Sequence, residues 1–422
     1  MDFNISVYKE RCNSLIELLK KDGNSSGAVL LFSNFEDHTA KYKQESSFRY
    51  FTGLNEPASV FMLKLDGTAT LYFPETSGER RKWLPCVDET SKPTDFGLGA
   101  IKPLGKKIKG FELDPFFAED EVNNLVKDLD SIIASGGKIF TIYPKATNQF
   151  FQQKAYLNHL STFVPKLKDN VIDVLPLISE LRVVKNKAEI ECIYSAIEIT
   201  IMAHASAIEA IEPGKSEADV AGAINYVFTS SKTVAAFPSI VGSGKNSTVL
   251  HYGDNDQELK KGSLVVVDIG ADYNGYSADI TRTYPVSGKF TKRQREIYNI
   301  VLEVQQYIAS LAKPGIWLKN PGKPDQSLHH LAYKFLEKKG YAKYFPHGLG
   351  HYLGMDTHDV GDYSKPLEPG NVFTIEPGIY IPDEEIGVRI EDDYWVVEDG
   401  VVCLSENLPK HPDEIEEVLK KV

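Results

Sequence analysis

The chain of 422 residues is long enough for two or three domains of ordinary size. Its 59 acidic against 47 basic residues leave a formal charge of −12, which disfavours the phosphate neutralisation that non-specific nucleic-acid binding needs. No apolar run reaches the ~18 residues of a usual membrane span, and the four scattered cysteines contain no CxxC pair for a metal or redox site. Met1-Asp2-Phe3 opens without a basic start and an apolar run, so no secretory signal is expected and the cytoplasm is the default location. The basic run Lys102–Lys109 is short and reads as a solvated loop.

In chain order, Val7–Leu19 reads as a helix and Ala28–Phe32, Val60–Leu65 and Thr70–Phe73 as strands. Asp66-Gly67 is the expected turn of a hairpin between the last two. Ala118–Leu129 reads as a helix and Phe140–Tyr143 as a strand. This is a mixed α/β pattern without an evident catalytic cluster. Pro176 interrupts it, and a boundary within Asp173–Lys187 gives domains of residues 1–175 and 176–422. Beyond it, Ile190, Ile193, Ile197, Ile201, Ala205, Ile208 and Ile211 recur at spacings of three and four. They predict one apolar face of a long helix ended by Pro213-Gly214. Ser216 with Asp219 and Thr291 with Gln294 are capping boxes. They start helices over Val220–Phe228 and up to about Ala312. Ser327–Lys339, closed by Gly340, is a further helix. Strands are expected at Ser263–Ile269, Gly275–Tyr284, Asn371–Tyr380 and Val388–Val397. The whole reads as α+β, with helices on one side of a largely antiparallel sheet.

The informative feature is acid inside apolar strands. Asp268 ends the run LVVVD, and Asp279 follows eleven residues later in YSADITRT. With Ala271–Gly275 (ADYNG) as the turn, a hairpin brings both carboxylates together. Two buried carboxylates repel, and each is costly unless compensated. Arg282 is one candidate partner; a divalent metal is the better compensation. Glu376 follows VFTI, and Glu391 follows VRI. Arg389 and Glu391 are two apart, on one face of a strand, so Arg389 can orient Glu391 or the substrate. Taken alone, that pair also fits an ordinary ion pair on a solvent face. His347, His351 and His358 lie within twelve positions, which packing explains poorly, and Gly348 and Gly350 permit close backbone approach. His251 is either a turn histidine or a fourth member. Two Asp, two Glu and one His form an oxygen-rich set suited to two divalent ions such as Mn²⁺, and too large for one catalytic zinc. The chemistry implied is hydrolysis. VGSGKNS fails as a phosphate loop, because Ser239 stands where its first glycine belongs and Asn246 follows Lys245.

Five segments together resemble the Xaa-Pro aminopeptidase and Xaa-Pro dipeptidase (prolidase) group of pita-bread metallopeptidases. They are Ile240–Tyr252, Val266–Phe290, His347–Gly361, Leu367–Ile381 and Gly387–Val396. Gln44–Leu63 is similar to the family's first domain. The resemblance implies a C-terminal pita-bread catalytic domain preceded by a smaller mixed α/β domain. It implies Asp268, Asp279, His351, Glu376 and Glu391 as ligands of two metal ions, with Asp279 and Glu391 bridging. Mn²⁺ is the first choice, with Co²⁺ or Zn²⁺ as the others. His251, His347 and His358 then surround the substrate, Arg389 stands beside the last ligand, and Glu376 also manages the proton of the attacking water. The expected substrates are peptides with proline at position two, which lose their first residue. The short Ile381–Ile386 link points to the aminopeptidase branch, whereas His38–Lys43 departs from it and keeps the dipeptidase reading open. A non-catalytic peptide-binding module is the third reading, and retention of all five ligands opposes it. The resemblance also implies a homodimer or homotetramer, with Trp83 or Arg49–Phe51 able to border a neighbouring subunit's site.

Overall fold

The apolar runs of the N-terminal part pair into a single sheet. The computed structural model describes residues 3–36, 41–74, 82, 91–104, 123–144 and 150–420. Trp83, Cys86, residues 38–40 of the His38–Lys43 segment, residues 105–109 of the basic run and residues 118–122 of the expected helix lie outside the described residues. The chain divides into two units, Met1–Leu181 and Arg182–Val422.

In the first unit, α1 (Ile5–Lys21) precedes β1 (Gly27–Phe32), α2 (Ser46–Thr52), β2 (Val60–Lys64) and β3 (Ala69–Phe73). Then come β4 (Ala100–Pro103), α3 (Asn123–Ala134), β5 (Lys138–Thr141), α4 (Phe151–Phe163) and β6 (Val171–Asp173). The strand order is β4-β3-β2-β1-β5-β6. β1, β2 and β3 are antiparallel neighbours, and β4, β5 and β6 join in parallel. At the hairpin tip the Thr68 amide donates to Asp66 (2.8 Å), so the Asp-Gly turn forms where expected. β4 and β6 were not anticipated: runs of four and three residues are too short to show periodicity. Of the stretch Arg49–Phe51 on α2, Tyr50 and Phe51 are buried. The helix α5 (Leu175–Val183) carries the chain into the second unit.

The second unit opens with α6 (Lys187–Ala210), started by a reciprocal capping box between Asn186 and Glu189. Ile190, Ile193, Ile197 and Ile208 of its expected face are buried, but Ile201 is half-buried and Ala205 exposed. Each four-residue step overshoots a full turn by about 40°, so the steps from Ile193 through Ile197 and Ile201 to Ala205 drift off the core side. Ala203, His204 and Ala207 take those places. α7 (Glu217–Ser230) and α8 (Lys292–Leu311) begin at the Ser216/Asp219 and Thr291/Gln294 boxes, with both capping bonds present in each. α9 (Leu328–Lys338) and α10 (Pro412–Leu419) complete the helices.

Strands intervene between these helices, and every ladder of this unit is antiparallel. β7 (Val234–Ala235) and β8 (Ile240–Ser243) precede β9 (Leu264–Ile269). β10 (Ala271–Tyr273), β11 (Tyr276–Ser277) and β12 (Ile280–Pro285) follow. The expected turn ADYNG is shorter than proposed: Ala271–Tyr273 is strand, and only Asn274 and Gly275 turn, at φ 53° and 77°. Two residues of positive φ are the geometry that Asn-Gly favours. The two long C-terminal strands are each broken. β13 (Val372–Ile375) and β14 (Gly378–Ile381) replace the first, β15 (Ile386–Arg389) and β16 (Asp392–Val397) the second, and β17 (Gly400–Cys403) ends the sheet. Pro377 has no N–H to give a ladder, so the strand cannot continue through it. Ile375 pairs with Asp392 and Gly378 with Arg389, so both strands break at one level. Glu376 and Glu391 sit at that break.

Candidate functional site

A cavity of about 820 Å³ in the second unit is lined by all nine residues singled out from sequence: His251, Asp268, Asp279, His347, His351, His358, Glu376, Arg389 and Glu391. The fold explains their convergence. Asp268 is carried by β9, where it pairs with Thr281 of β12, and Asp279 immediately precedes β12. Glu376 and Glu391 come from the shared strand break. The loop with His347 and His351 lies against β13, with bonds from the Thr374 amide to the His351 carbonyl (2.9 Å) and from the Glu376 amide to the Leu349 carbonyl (2.8 Å). A Cβ at Gly350 would meet the Thr374 carbonyl at 1.9 Å, so close approach requires glycine there. Gly348 meets nothing nearer than 3.9 Å, and close approach does not explain it.

Asp279, His351 and Glu391 form a metal-binding cluster, with one ligand atom of each within 4.8 Å of the others. The His351 Nδ1 lies 3.1 Å from the Tyr352 carbonyl and donates its proton there. The Nε2 then faces Asp279 Oδ2 at 3.4 Å and Glu376 Oε1 at 3.6 Å. Oδ1 of both Asp268 and Asp279 is buried without a hydrogen-bond partner. Burial, followed by the neighbouring charges of Asp268, Asp393 and Glu376, drives the Asp279 carboxyl well above the ordinary range. Burial does the same to Glu391, with Asp279, Glu376 and Asp268 adding. Burial pushes Glu376 up to about 7 against the opposing fields of His351 and Arg389.

Arg389 is almost wholly buried and bonds Asp268 at 2.7 Å. It donates to the Tyr380 oxygen (2.8 Å) and to Thr281 Oγ1 (3.2 Å). Thr281 in turn donates to Glu391 Oε2 (2.6 Å). Arg389 therefore orients Glu391 through a hydroxyl, and burial of both removes the solvent-face ion pair. With Tyr380 accepting from Arg389, its hydrogen is free to point at His347 Nε2 (3.0 Å), while His347 Nδ1 contacts the Gly348 carbonyl (2.7 Å). Burial, reinforced by Arg389, lowers the His347 pKa to about 4 and keeps that ring neutral. Burial also lowers His358, with His351 and His251 adding, and its ring stands edge-on to that of His351 at 4.3 Å. His251 is exposed on a turn at the cavity wall, so it is at once a turn residue and a cavity residue.

Arg282 is not the partner of the acidic pair. It points away and bonds Asp392 (2.7 Å) with several backbone carbonyls. Sequence reasoning missed Thr281, Tyr380 and Asp393, the last of which accepts from the Asp279 amide (3.1 Å). Thr281 was findable, two residues from Asp279 on the same strand face. Asp393 had a weaker signal, as the third acid of the run Glu391–Asp393.

Two family models match the chain: aminopeptidase P, N-terminal domain, over residues 8–91, and metallopeptidase family M24 over residues 191–398. The Xaa-Pro aminopeptidase of Escherichia coli is 34% identical, over 98% of this chain and 97% of its own. The Xaa-Pro dipeptidase of Pyrococcus furiosus is 33% identical over 94% and 98%. A solved structure of E. coli aminopeptidase P with the inhibitor Pro-Leu superposes with a TM-score of 0.83 at 29% identity, covering 99% of both chains. With that agreement along nearly its whole length and a buried carboxylate–histidine cluster at the shared strand break, the chain belongs to the Xaa-Pro aminopeptidase/dipeptidase family of pita-bread metallopeptidases and is a metal-dependent exopeptidase.

Proposed function

We propose that the chain holds two divalent cations, Mn²⁺ first, through Asp268, Asp279, His351, Glu376 and Glu391, and releases the first residue of peptides whose second residue is proline. The observation that supports this most is the His351 Nε2 facing two carboxylate oxygens, beside two orphaned aspartate oxygens. Such an oxygen-rich set with one ring nitrogen, and two of its buried oxygens without a donor, suits divalent cations. Bound there, the ions supply Lewis acidity for the peptide carbonyl and a low pKa for water.

The chain's own residues do the rest. Glu376, whose Oε2 lies 3.8 Å from His347 Nδ1, is the carboxylate placed to take the proton of the attacking water. Arg389 and Thr281 fix the orientation of Asp268 and Glu391. His251 and His358 offer ring N–H groups to the carbonyl oxygen and the proline side, and His347 stays neutral against Tyr380. Proline's tertiary amide has no N–H and its ring fixes φ, so a site that relies on ring packing accepts what a general aminopeptidase refuses. Phe237, Pro238 and Tyr363 of the cavity wall supply apolar surface for such packing. The acidic floor favours a free α-amino group. The β14–β15 connection is a tight turn, Pro382–Glu384 with Glu385 at φ 51°, and this short link supports the aminopeptidase reading. The dipeptidase reading stays as the second, since a dipeptidase is nearly as similar in sequence.

The test compares Xaa-Pro, Xaa-Pro-Yaa, Xaa-Ala-Yaa and N-acetyl-Xaa-Pro-Yaa with Mn²⁺ present. Cleavage of the free tripeptide is expected, with the acetylated and alanine peptides poor. Cleavage of Xaa-Pro alone selects the dipeptidase, and cleavage of Xaa-Ala-Yaa without Xaa-Pro-Yaa discards both. Replacing His251 or His358 by alanine should lower kcat/KM by up to ~10²–10³, as for one lost transition-state donor, His347→Ala should lower it through the loss of its support to Tyr380, and all three should leave bound metal in place. Loss of metal as complete as in His351→Ala would mean that the ligands are mis-sorted. A homodimer or homotetramer belongs to the same reading; a light-scattering mass near 47.1 kDa contradicts it.

Metal binding should also stabilise more at high pH. Glu376 is raised from 4.5 to about 7 in the metal-free fold, and Asp279 and Glu391 are raised as well. A raised carboxyl stabilises the metal-free fold below its unfolded value and loses that contribution as pH climbs through the folded one. Cations need the ionised ligands, so they gain over the same window. The Tm increase on adding Mn²⁺ should therefore be larger at pH 8 than at pH 6. An equal or reversed difference would contradict it.

A further inference from the structure

The failed phosphate-loop motif leads to a buried acid that the reaction does not use. Glu217, in the first turn of α7, has no exposed surface. Its Oε1 accepts from the Ser243 amide (2.7 Å), the Ser243 hydroxyl (2.8 Å) and the Asn246 side chain (3.3 Å). Its Oε2 accepts from the Tyr252 hydroxyl (2.9 Å) and the Gln257 amide (3.0 Å). The Glu217 amide donates back to the Gln257 carbonyl (2.8 Å). An isolated buried carboxylate is costly. Here five donors, all amides and hydroxyls, and a helix N-terminus compensate it. The motif's own amide at Ser243 thus already holds an anion, one supplied by the chain.

One carboxylate in this way ties both ends of residues 243–257 to a rigid helix. Between those ends, Leu250, His251 and Gly253 line the cavity. Asn255 secures the return by accepting from the Val241 amide (2.9 Å) and donating to the Ser239 carbonyl (2.8 Å). The Tyr252 hydroxyl lies between Glu217 Oε2 (2.9 Å) and Asp256 Oδ1 (3.0 Å), while its neighbour His251 lines the cavity.

We propose that Glu217 is a positioning residue that sets the placement of His251 at the peptide cavity, through Tyr252 and the Gln257 amide. The proposal rests on reading that cavity as the peptide site. Glutamine at this position tests it at constant size. Its oxygen can still serve Ser243 and Asn246, and the Tyr252 hydroxyl can rotate to accept. Its NH₂, however, meets the Gln257 N–H donor to donor, which releases the His251 side of the loop and keeps the other.

The experiment makes E217Q and Y252F in the full chain, each alone and with H251A, loaded with Mn²⁺. E217Q should lower kcat/KM for a Xaa-Pro-Yaa tripeptide about tenfold and Y252F about threefold, as for one or part of one charge-assisted bond. Bound metal should not change. In the H251A background neither should cost more, because the positioned group is gone. Deuterium uptake by the amides of residues 249–257 should rise in E217Q and not in H251A. Losses that multiply in the double variants, or metal lost from E217Q, overturn the proposal. If E217Q does not fold, the Y252F cycle decides by the same criterion. If the wild-type chain cleaves no proline peptide, the peptidase reading fails by itself; deuterium uptake still tests the hold on the loop, and unchanged uptake overturns it.

Discussion

Replacing Asp279 by alanine is expected to abolish hydrolysis and to leave the metal-free fold as stable as before, or more so, at pH 8. Asp279 is a crowded acid: burial and three neighbouring carboxylates disfavour its charge, and one of its oxygens has no donor. Its backbone amide, which bonds Asp393, survives the substitution. Asp279 is the proposed shared ligand of two cations, so its loss should empty or distort both positions. At several kcal/mol of metal contribution, kcat should fall at least ~10³-fold. The stability effect has the opposite sign, because removing one of several like charges relieves the others. That gain should vanish near pH 5, where the raised carboxyls hold their protons in the folded state. Kinetics at saturating Mn²⁺ and melts of metal-free protein at both pH values check it. More than about a tenth of wild-type kcat, or a lower metal-free Tm at pH 8, would contradict the assignment.

These expectations could be read from the sequence because the site breaks local rules. A carboxylate in LVVVD, or after VFTI, contradicts the burial that its neighbours demand, and such conflicts mark functional positions. Two helices, α7 and α8, were legible through their caps, each of which supplies a local hydrogen-bond reason to begin, and α6 through its isoleucine spacing, whereas α2, α4 and α10 were not anticipated. What else was not legible is non-local. Nothing in the sequence places the break at Glu376-Pro377 opposite the one at Glu391, since pairing depends on register between strands far apart. The roles of the two arginines were likewise hidden. Arg282 and Arg389 both precede or follow an acid by a few positions, and only the third dimension assigns Arg389 to Asp268 and Arg282 to Asp392. The drift of Ile201 and Ala205 off the core is the helical case of the same limit, because a four-residue spacing persists while the face it marks rotates.

Arg282 carries the second large effect, and it acts on stability first. Its guanidinium has no exposed surface and joins two distant stretches of chain, Glu391–Asp392 and Leu408–Pro409. It donates to the Pro409 (2.9 Å) and Leu408 (3.0 Å) carbonyls, to the Glu391 carbonyl (2.7 Å) and to Asp392 (2.7 Å). Methionine would fill much of the volume and satisfy none of these acceptors. Asp392 would keep Lys410 (2.6 Å), Gln305 and Ser405, so its charge would not be stranded, but the carbonyls would lose their donors in a dry interior. Breaking a buried pair costs about 3–5 kcal/mol. For a unit of this size that lowers Tm by roughly 10 °C. Activity should fall as well, because the Glu391 carbonyl is one of the groups held and its side chain is one of the proposed ligands. Lysine should not rescue the variant, since a single ammonium cannot reach carbonyls on both sides of Asp392 at once. Melts of Arg282→Met and Arg282→Lys with saturating Mn²⁺ check this. A Tm within about 2 °C of wild type for either would show that the buried guanidinium is replaceable by packing alone, as buried ion pairs sometimes are. The contrast with Asp279→Ala is the sharper result: one substitution should remove turnover from a protein that still folds, and the other should loosen the strand break on which the site is built.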